Sequence, residues 1–199
     1  MKPKRIPPVE SATREALIDA TEQLLYEEGY AAISSRRIGA RAGVKGPLIH
    51  YYFDGIDDLY LAVFRRMIAA GMQNRSVIRA SDQPLHLLWS MAKDPKRARL
   101  TTEFMALAIH RPAIREEIAR VANETRRRQI DGIAHYIKTK GLDATWPAAA
   151  LPVIMSSLSY LLSLETALGI SVGHEETEAA IATWLDLLEG PVGSPPTCK

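Results

Sequence analysis

The chain has 199 residues, 47% of them hydrophobic and only 7% aromatic, which is enough for a substantial core and, with Ala and Leu dominating long stretches, favours helices over sheet. Its single cysteine, Cys198 in a polar tail, excludes a disulfide framework within the chain and suits a reducing cytoplasm. A formal net charge of +2 decides nothing about an anionic partner, so the distribution of charge has to be read along the chain.

Met1 to Glu10 is basic but leads into no apolar segment of the kind an export signal needs. Ser11 to Glu28 predicts a first helix, with Leu17, Ala20 and Leu24 at helical spacing, Ile18 and Leu25 widening the stripe, and Gly29 as its stop. Ser34 can cap a second helix that runs to about Ala42 and ends at Gly43. Gly46-Pro47 opens a short third helix through Tyr52, because proline at a first helical position gives up only a donor that has no partner there. From Gly55 to Arg79 a longer helix carries Leu59, Val63, Met67 and Ala70 on one face. Further helices are expected near Asp82–Ala92, Pro95–His110, Pro112–Lys140, Thr145–Leu168 and His174–Leu188. Ala144 to Leu164 holds no charged residue, but Pro147, Pro152, Thr145 and four serines make a helix buried among protein partners the better reading than a membrane span. The expected architecture is all-α: residues 1–53 as a DNA-binding domain with an N-terminal arm, 54–189 as a helical domain, and 190–199 as a loose tail with three prolines.

Function is concentrated between Tyr30 and Phe53, where Arg36, Arg37, Arg41 and Lys45 occur without a single Asp or Glu. Such a local excess of cations suits DNA. Ser35 to Tyr52 also meets the steric demands of a helix-turn-helix. Gly39 allows two helices to cross closely, Gly43 can take the left-handed conformation of a tight turn, and Ile38, Ala42, Val44 and Ile49 supply the apolar seam. An ordinary helical hairpin would share the seam but has no reason to exclude acids or to cluster aromatics. Arg37 and Arg41 have a plainer reading as solvated side chains, Phe53 as a core aromatic, and Arg126–Arg128 as an exposed helix face.

GYAAISSRRIGARAGVKGPLIHYYFDGIDDLYLAVF, Gly29 to Phe64, resembles the TetR family in its helix-Gly start, its Ile-Gly-Ala and Ala-Gly-Val stretches and its aromatic-rich helix ending in Phe. The resemblance is strong over residues 11 to 64; beyond them it extends only to length and helical architecture. It implies a three-helix DNA-binding domain, a helical ligand-binding and dimerisation domain, and repression relieved by a small molecule. Carried over by position, it puts Ser35 on a phosphate, Arg36 on a guanine edge, Lys45, Gly46, Pro47, His50 and Tyr51 at the major groove or its flanks, and Tyr52 on a phosphate. The chain departs from the family pattern at Ile56, where a lysine is usual, and at Arg37, where an acid often completes the helix cap.

Catalysis has no comparable support. Gly169 to Gly173 matches a G-x-S-x-G nucleophile pattern around Ser171, yet a helix is expected before it and the only later histidine, His174, precedes Asp186. No cofactor or metal is expected, since the histidines lack ligand spacing. The expected partners are double-stranded operator DNA, a second copy of the chain and a mostly apolar effector, with no membrane. Leu151, Met155, Leu158 and Leu162, and Ile181, Trp184, Leu185 and Leu188, form stripes expected to pair with their copies in a four-helix bundle. Met67, Trp89, Phe104, Leu107, His110, Met155, Tyr160 and Glu165 are candidate effector-lining residues. For Glu165 a salt bridge at the rim is the competing reading. An activator or ligand-independent DNA binder of the same fold, and a helical scaffold, remain alternatives.

Overall fold

The computed structural model describes residues 8–73, 78, 81–142 and 147–192. The basic residues 1–7, the tail from 193 with Cys198, most of 74–80 in the helix expected to reach Arg79, and Thr145 lie outside the described residues. Those described form nine α-helices: α1 Pro8–Glu28, α2 Ser35–Arg41, α3 Ile49–Tyr52, α4 Ile56–Gln73, α5 Pro84–Ala92, α6 Pro95–His110, α7 Pro112–Lys140, α8 Leu151–Ala167 and α9 His174–Glu189. Short 3₁₀ turns at Tyr30–Ala32 and Gly46–Leu48 precede α2 and α3. The expected third helix is therefore two pieces, its proline lying in the tighter first turn. Among the described residues no helix is long and apolar enough to cross a membrane.

By its contacts the chain forms two compact units, Met1–Ala70 with Arg99–Ala119, and Gly71–Ala98 with Arg120–Lys199. The first buries Leu17, Ile18, Leu24 and Leu25 of α1, Ile38 of α2, Ile49 of α3, Leu59, Tyr60, Val63 and Phe64 of α4, and Leu100, Phe104 and Leu107 of α6. Phe64 and Phe104 meet edge to face with centroids 5.3 Å apart, the offset that the ring quadrupole favours. Phe53 is buried as a core aromatic, while Ala70, expected on the buried stripe of α4, is exposed.

In the second unit the core is Leu85, Trp89, Ile133, Leu151, Met155, Leu162 and Leu185, with Leu158, Ile181, Trp184 and Leu188 packed against it. Of the two stripes expected to pair between copies, Leu151, Met155, Leu162 and Leu185 are buried within the single chain and the other four are partly buried, because α8 and α9 cover α5 with them. Glu189 at the end of α9 closes the unit: its carboxylate accepts the Leu85 N–H at 2.9 Å and the His86 N–H at 3.0 Å, filling the donors left open at the start of α5.

The helix-turn-helix rests on two glycines. A Cβ on Gly39 would lie 2.7 Å from the Gly46 nitrogen and 2.8 Å from the Val44 oxygen, and one on Gly46 would lie 2.9 Å from the Ser35 oxygen. These backbones cross with no room for a methyl group. Gly43 turns the chain at φ 70° with open space around it, and the Val44 N–H closes the turn onto the Gly39 carbonyl at 2.9 Å. The two sites predict different losses on urea denaturation of the full chain. Gly39→Ala is expected to cost more than about 2 kcal/mol, since backbone must shift, and Gly43→Ala about 1 kcal/mol of left-handed strain. Equal losses would refute the close-crossing argument.

Candidate nucleic-acid interface

Ser34, in extended conformation, caps α2 by accepting the Arg37 N–H at 3.3 Å. That sets the helix start and with it the direction of the next side chains. Four cations lie on this segment, and the structure divides them. Arg37 pairs with Glu28 and donates to the Ala32 carbonyl at 3.1 Å. Arg41 reaches Glu27 at 2.8 Å and Glu28 at 3.7 Å. Both guanidiniums are thus tied back to the end of α1. Arg36 and Lys45 are exposed, and their side chains have no hydrogen-bond or ion-pair partner among the described residues.

Beside these two, Pro47, His50 and Tyr51 are exposed, Tyr51 to 63%. Tyr52 is half-buried and stands edge-on to Tyr51, ring centroids 4.9 Å apart. Ser35 is half-buried, and Gly46 has the packing demand described above besides its expected place at the groove. The eight residues expected at DNA therefore fall on one short stretch of α2, the turn and α3, which also holds an open concavity of about 510 Å³ lined by Val44, Lys45, Pro47, Leu48 and Tyr51.

A feature with no signal in the local sequence fixes this stretch from behind. Glu103 of α6 is buried, and its carboxylate accepts the Tyr30 N–H at 2.8 Å at the entry to the 3₁₀ turn before α2. Gly29, at φ 77°, lets it in, since a Cβ there would sit 3.1 Å from the carboxylate, and Arg99 balances the charge at 3.2 Å. On α4, Asp57 pairs with Arg111 and Arg65 with Glu117 at 2.9 Å. The Arg111 guanidinium also lies 5.6 Å from the centre of the Tyr60 ring. Burial pushes the Tyr60 hydroxyl up from its ordinary pKa, opposed by Arg111.

The candidate effector residues divide between the units. Met67, Phe104, Leu107 and His110 belong to the first, where Phe104 and Leu107 are core, Met67 is half-buried and His110 exposed. Trp89, Met155, Tyr160 and Glu165 belong to the second, where Trp89 and Met155 share one core. Glu165 accepts from or pairs with His174 Nε2 at 2.8 Å, the rim bridge that competed with a ligand role. Around Ser171 the chain makes a turn between α8 and α9, with Gly169 at φ 80° and Gly173 at φ 82°. It has no strand before it, so it is not a nucleophile elbow.

Residues 17–63 match the model of the bacterial regulatory proteins, tetR family. The fold is that of a TetR transcription regulator from Haloarcula marismortui, at 19% identity, a TM-score of 0.71 and coverage of 89% of this chain and 98% of that one. It is equally similar to a transcriptional regulator from Saccharomonospora viridis in complex with choline, at 18% identity, a TM-score of 0.72 and coverage of 86% and 95%. The regulator FadR from Bacillus subtilis, in complex with stearoyl-CoA, aligns at 16% identity with a TM-score of 0.63 over 88% and 98%. No protein of curated function matches the sequence.

The role given to Glu103 has a direct consequence. Glu103→Ala leaves the Tyr30 N–H without its partner and Arg99 without its counter-charge, so it is expected to lower stability by about 2 to 4 kcal/mol. Glu103→Gln, which keeps an acceptor oxygen, should recover part of that loss. Hydrogen exchange at the Tyr30 amide reads the same bond, and an amide unprotected in the wild type would refute it.

Proposed function

We propose that this chain, whose residues 17–63 carry the DNA-binding domain of the tetR family and whose fold is that of solved regulators of that family, is a cytoplasmic, dimeric repressor that leaves its operator when a small molecule binds. The division of the cations carries the reading. α1 neutralises Arg37 and Arg41, while Arg36 and Lys45 are held out beside His50, Tyr51 and Pro47 with no acid among them. A merely solvated helix gains nothing from sorting its charges in this way. In this reading Arg36 addresses a guanine edge in the major groove, Ser35 and Tyr52 hold phosphates, and the chain needs no catalytic group or cofactor.

Dimerisation is proposed through the outer faces of α8 and α9. Val153 and Leu161 of α8 are 42% and 47% exposed, Leu168 just beyond it 69%, and Leu187 of α9 81%. These are separate from the stripes that form the core, and a helix without charge through Leu164 and with exposed apolar residues beyond its core stripe suits a second copy. Effector binding is proposed for the helical domain. The choline and stearoyl-CoA complexes of proteins with this fold support a small-molecule ligand here without naming it.

A duplex selected by the wild-type protein from a random pool is expected to hold two half-sites about one helical turn apart, roughly 34 to 36 Å, and its affinity to fall log-linearly with salt. Arg36→Ala should cost about 1 to 3 kcal/mol and relax preference at one base pair, whereas Arg41→Ala, removing a half-exposed pair, should cost less than about 1 kcal/mol. Leu161→Glu should give monomers in light scattering and weaken binding to the two-half-site duplex. Salt-independent binding, or no selected sequence at all, would overturn the reading.

Release rests on linkage. The effector acts by shifting α4, which Phe53 to Gly55 join to α3, and a coupling of about 1 to 3 kcal/mol weakens operator binding 5- to 150-fold. Saturation with operator must then weaken a choline-like or acyl-thioester ligand found by thermal-shift screening by the same factor. A tight ligand whose calorimetric affinity ignores the operator would refute effector release.

A further inference from the structure

The concavity on the recognition surface is lined by Val44, Lys45, Pro47, Leu48 and Tyr51, and two of these, Val44 and Leu48, have no part in the DNA contacts assigned so far. Their position follows from the fold. Val44 leaves the Gly43 turn, Pro47 and Leu48 belong to the 3₁₀ turn and Tyr51 lies a turn further on, while Ile38 and Ile49 supply the fully buried seam on the core side. Tyr51 is 63% exposed and Pro47 is exposed, so apolar surface stands open beside two unpaired cations, Lys45 and Arg36. Open apolar surface of this kind is stabilised by being covered.

What covers it follows from the chemistry of DNA. Every base edge in the major groove presents donors and acceptors, and the only apolar group is the C5 methyl of thymine. The lining has no carboxylate or carboxamide to accept from the amino group of cytosine or adenine. Lys45 supplies positive charge at the same notch, complementary to a flanking phosphate. We propose that this notch is a thymine reader: the C5 methyl of one thymine in each half-site seats against Val44, Pro47, Leu48 and the Tyr51 ring, while Lys45 holds a phosphate beside it. Val44 and Leu48 thereby join Arg36 as determinants of operator sequence, Arg36 reading a polar edge and the notch an apolar one.

The inference rests on the DNA-binding reading, and its test separates the two. In the selected duplex each thymine is replaced in turn by deoxyuridine, which removes only the methyl group, and full-chain affinity is measured. One thymine per half-site is expected to lose about fourfold on replacement, the worth of one buried methyl group, and about fifteenfold when both half-sites are changed. Leu48→Ala, or Tyr51→Ala at the more exposed position, should weaken binding to the thymine duplex and bring the thymine-to-uridine ratio at that position close to one. The inference is overturned if no thymine recurs in the half-sites, if no replacement matters, or if both variants keep the full ratio, which would place the methyl against another surface or leave the notch to a protein partner. Absence of any salt-sensitive duplex binding would instead overturn the DNA-binding reading itself.

Discussion

The constraint on which the recognition segment depends is the crossing of two backbones at Gly39 and Gly46, where neither position can accept a methyl group. The exposed side chains of the candidate nucleic-acid surface depend on it. With these glycines in place the start of the 3₁₀ turn lies directly on α2, so Ile38 and Ile49 can both be fully buried. Once they are, the remaining positions of the same short segments have only outward directions left. Arg36, Lys45, His50 and Tyr51 are exposed because the seam has taken the inward ones. Dense packing passes a demand at one atom to the placement of side chains several residues away.

Charge is arranged with the same economy. α1 ends in Glu27 and Glu28, which hold Arg41 and Arg37. These pairs are partly exposed and each contributes little to stability. Their larger effect is on direction, since a guanidinium paired with α1 is turned back toward that helix while Arg36 stays exposed. Glu103 differs in kind. A buried carboxylate is costly unless its oxygens are filled, and here a backbone N–H and Arg99 fill them. The bond joins α6 to the loop that starts the helix-turn-helix, so a displacement of α6 has to break it or carry Tyr30 along.

The parts legible in the sequence were those in which cause and effect lie within a few residues. Ser34 as a cap, Gly43 as a left-handed turn, Gly39 as a close crossing and Phe53 as core all follow from local sterics. Glu103 was not legible, because its partner is 73 positions away and nothing near it marks a carboxylate as buried. The sequence leaves Arg37 a plain reading as a solvated cation, and Arg41 open between solvent and a phosphate, for a related reason: the acids that hold them belong to the preceding helix, and helical periodicity does not say which face meets which neighbour. The candidate effector residues show the limit most clearly: periodicity cannot divide them between two units, Trp89 and Phe104 serve different cores, and His110 is exposed.

The stripes on α8 and α9 show how a charge-free segment such as Ala144 to Leu164 should be read. Leu151, Met155 and Leu162 cover the core from one side of α8, and Ser159 on that side is buried as well. The serines within the helix do not break the pattern, since Ser156, Ser159 and Ser163 each donate to a carbonyl of the preceding turn and so carry no unmet donor. Val153 lies on the opposite side and Leu161 on the flank, both exposed in a single chain. A helix with one apolar stripe needs one neighbour, and a helix apolar on two sides needs two. The absence of charge from Ala144 to Leu164 therefore carried two demands, of which the core satisfies one. The other falls to the outer face, which the proposed pairing with a second copy would cover.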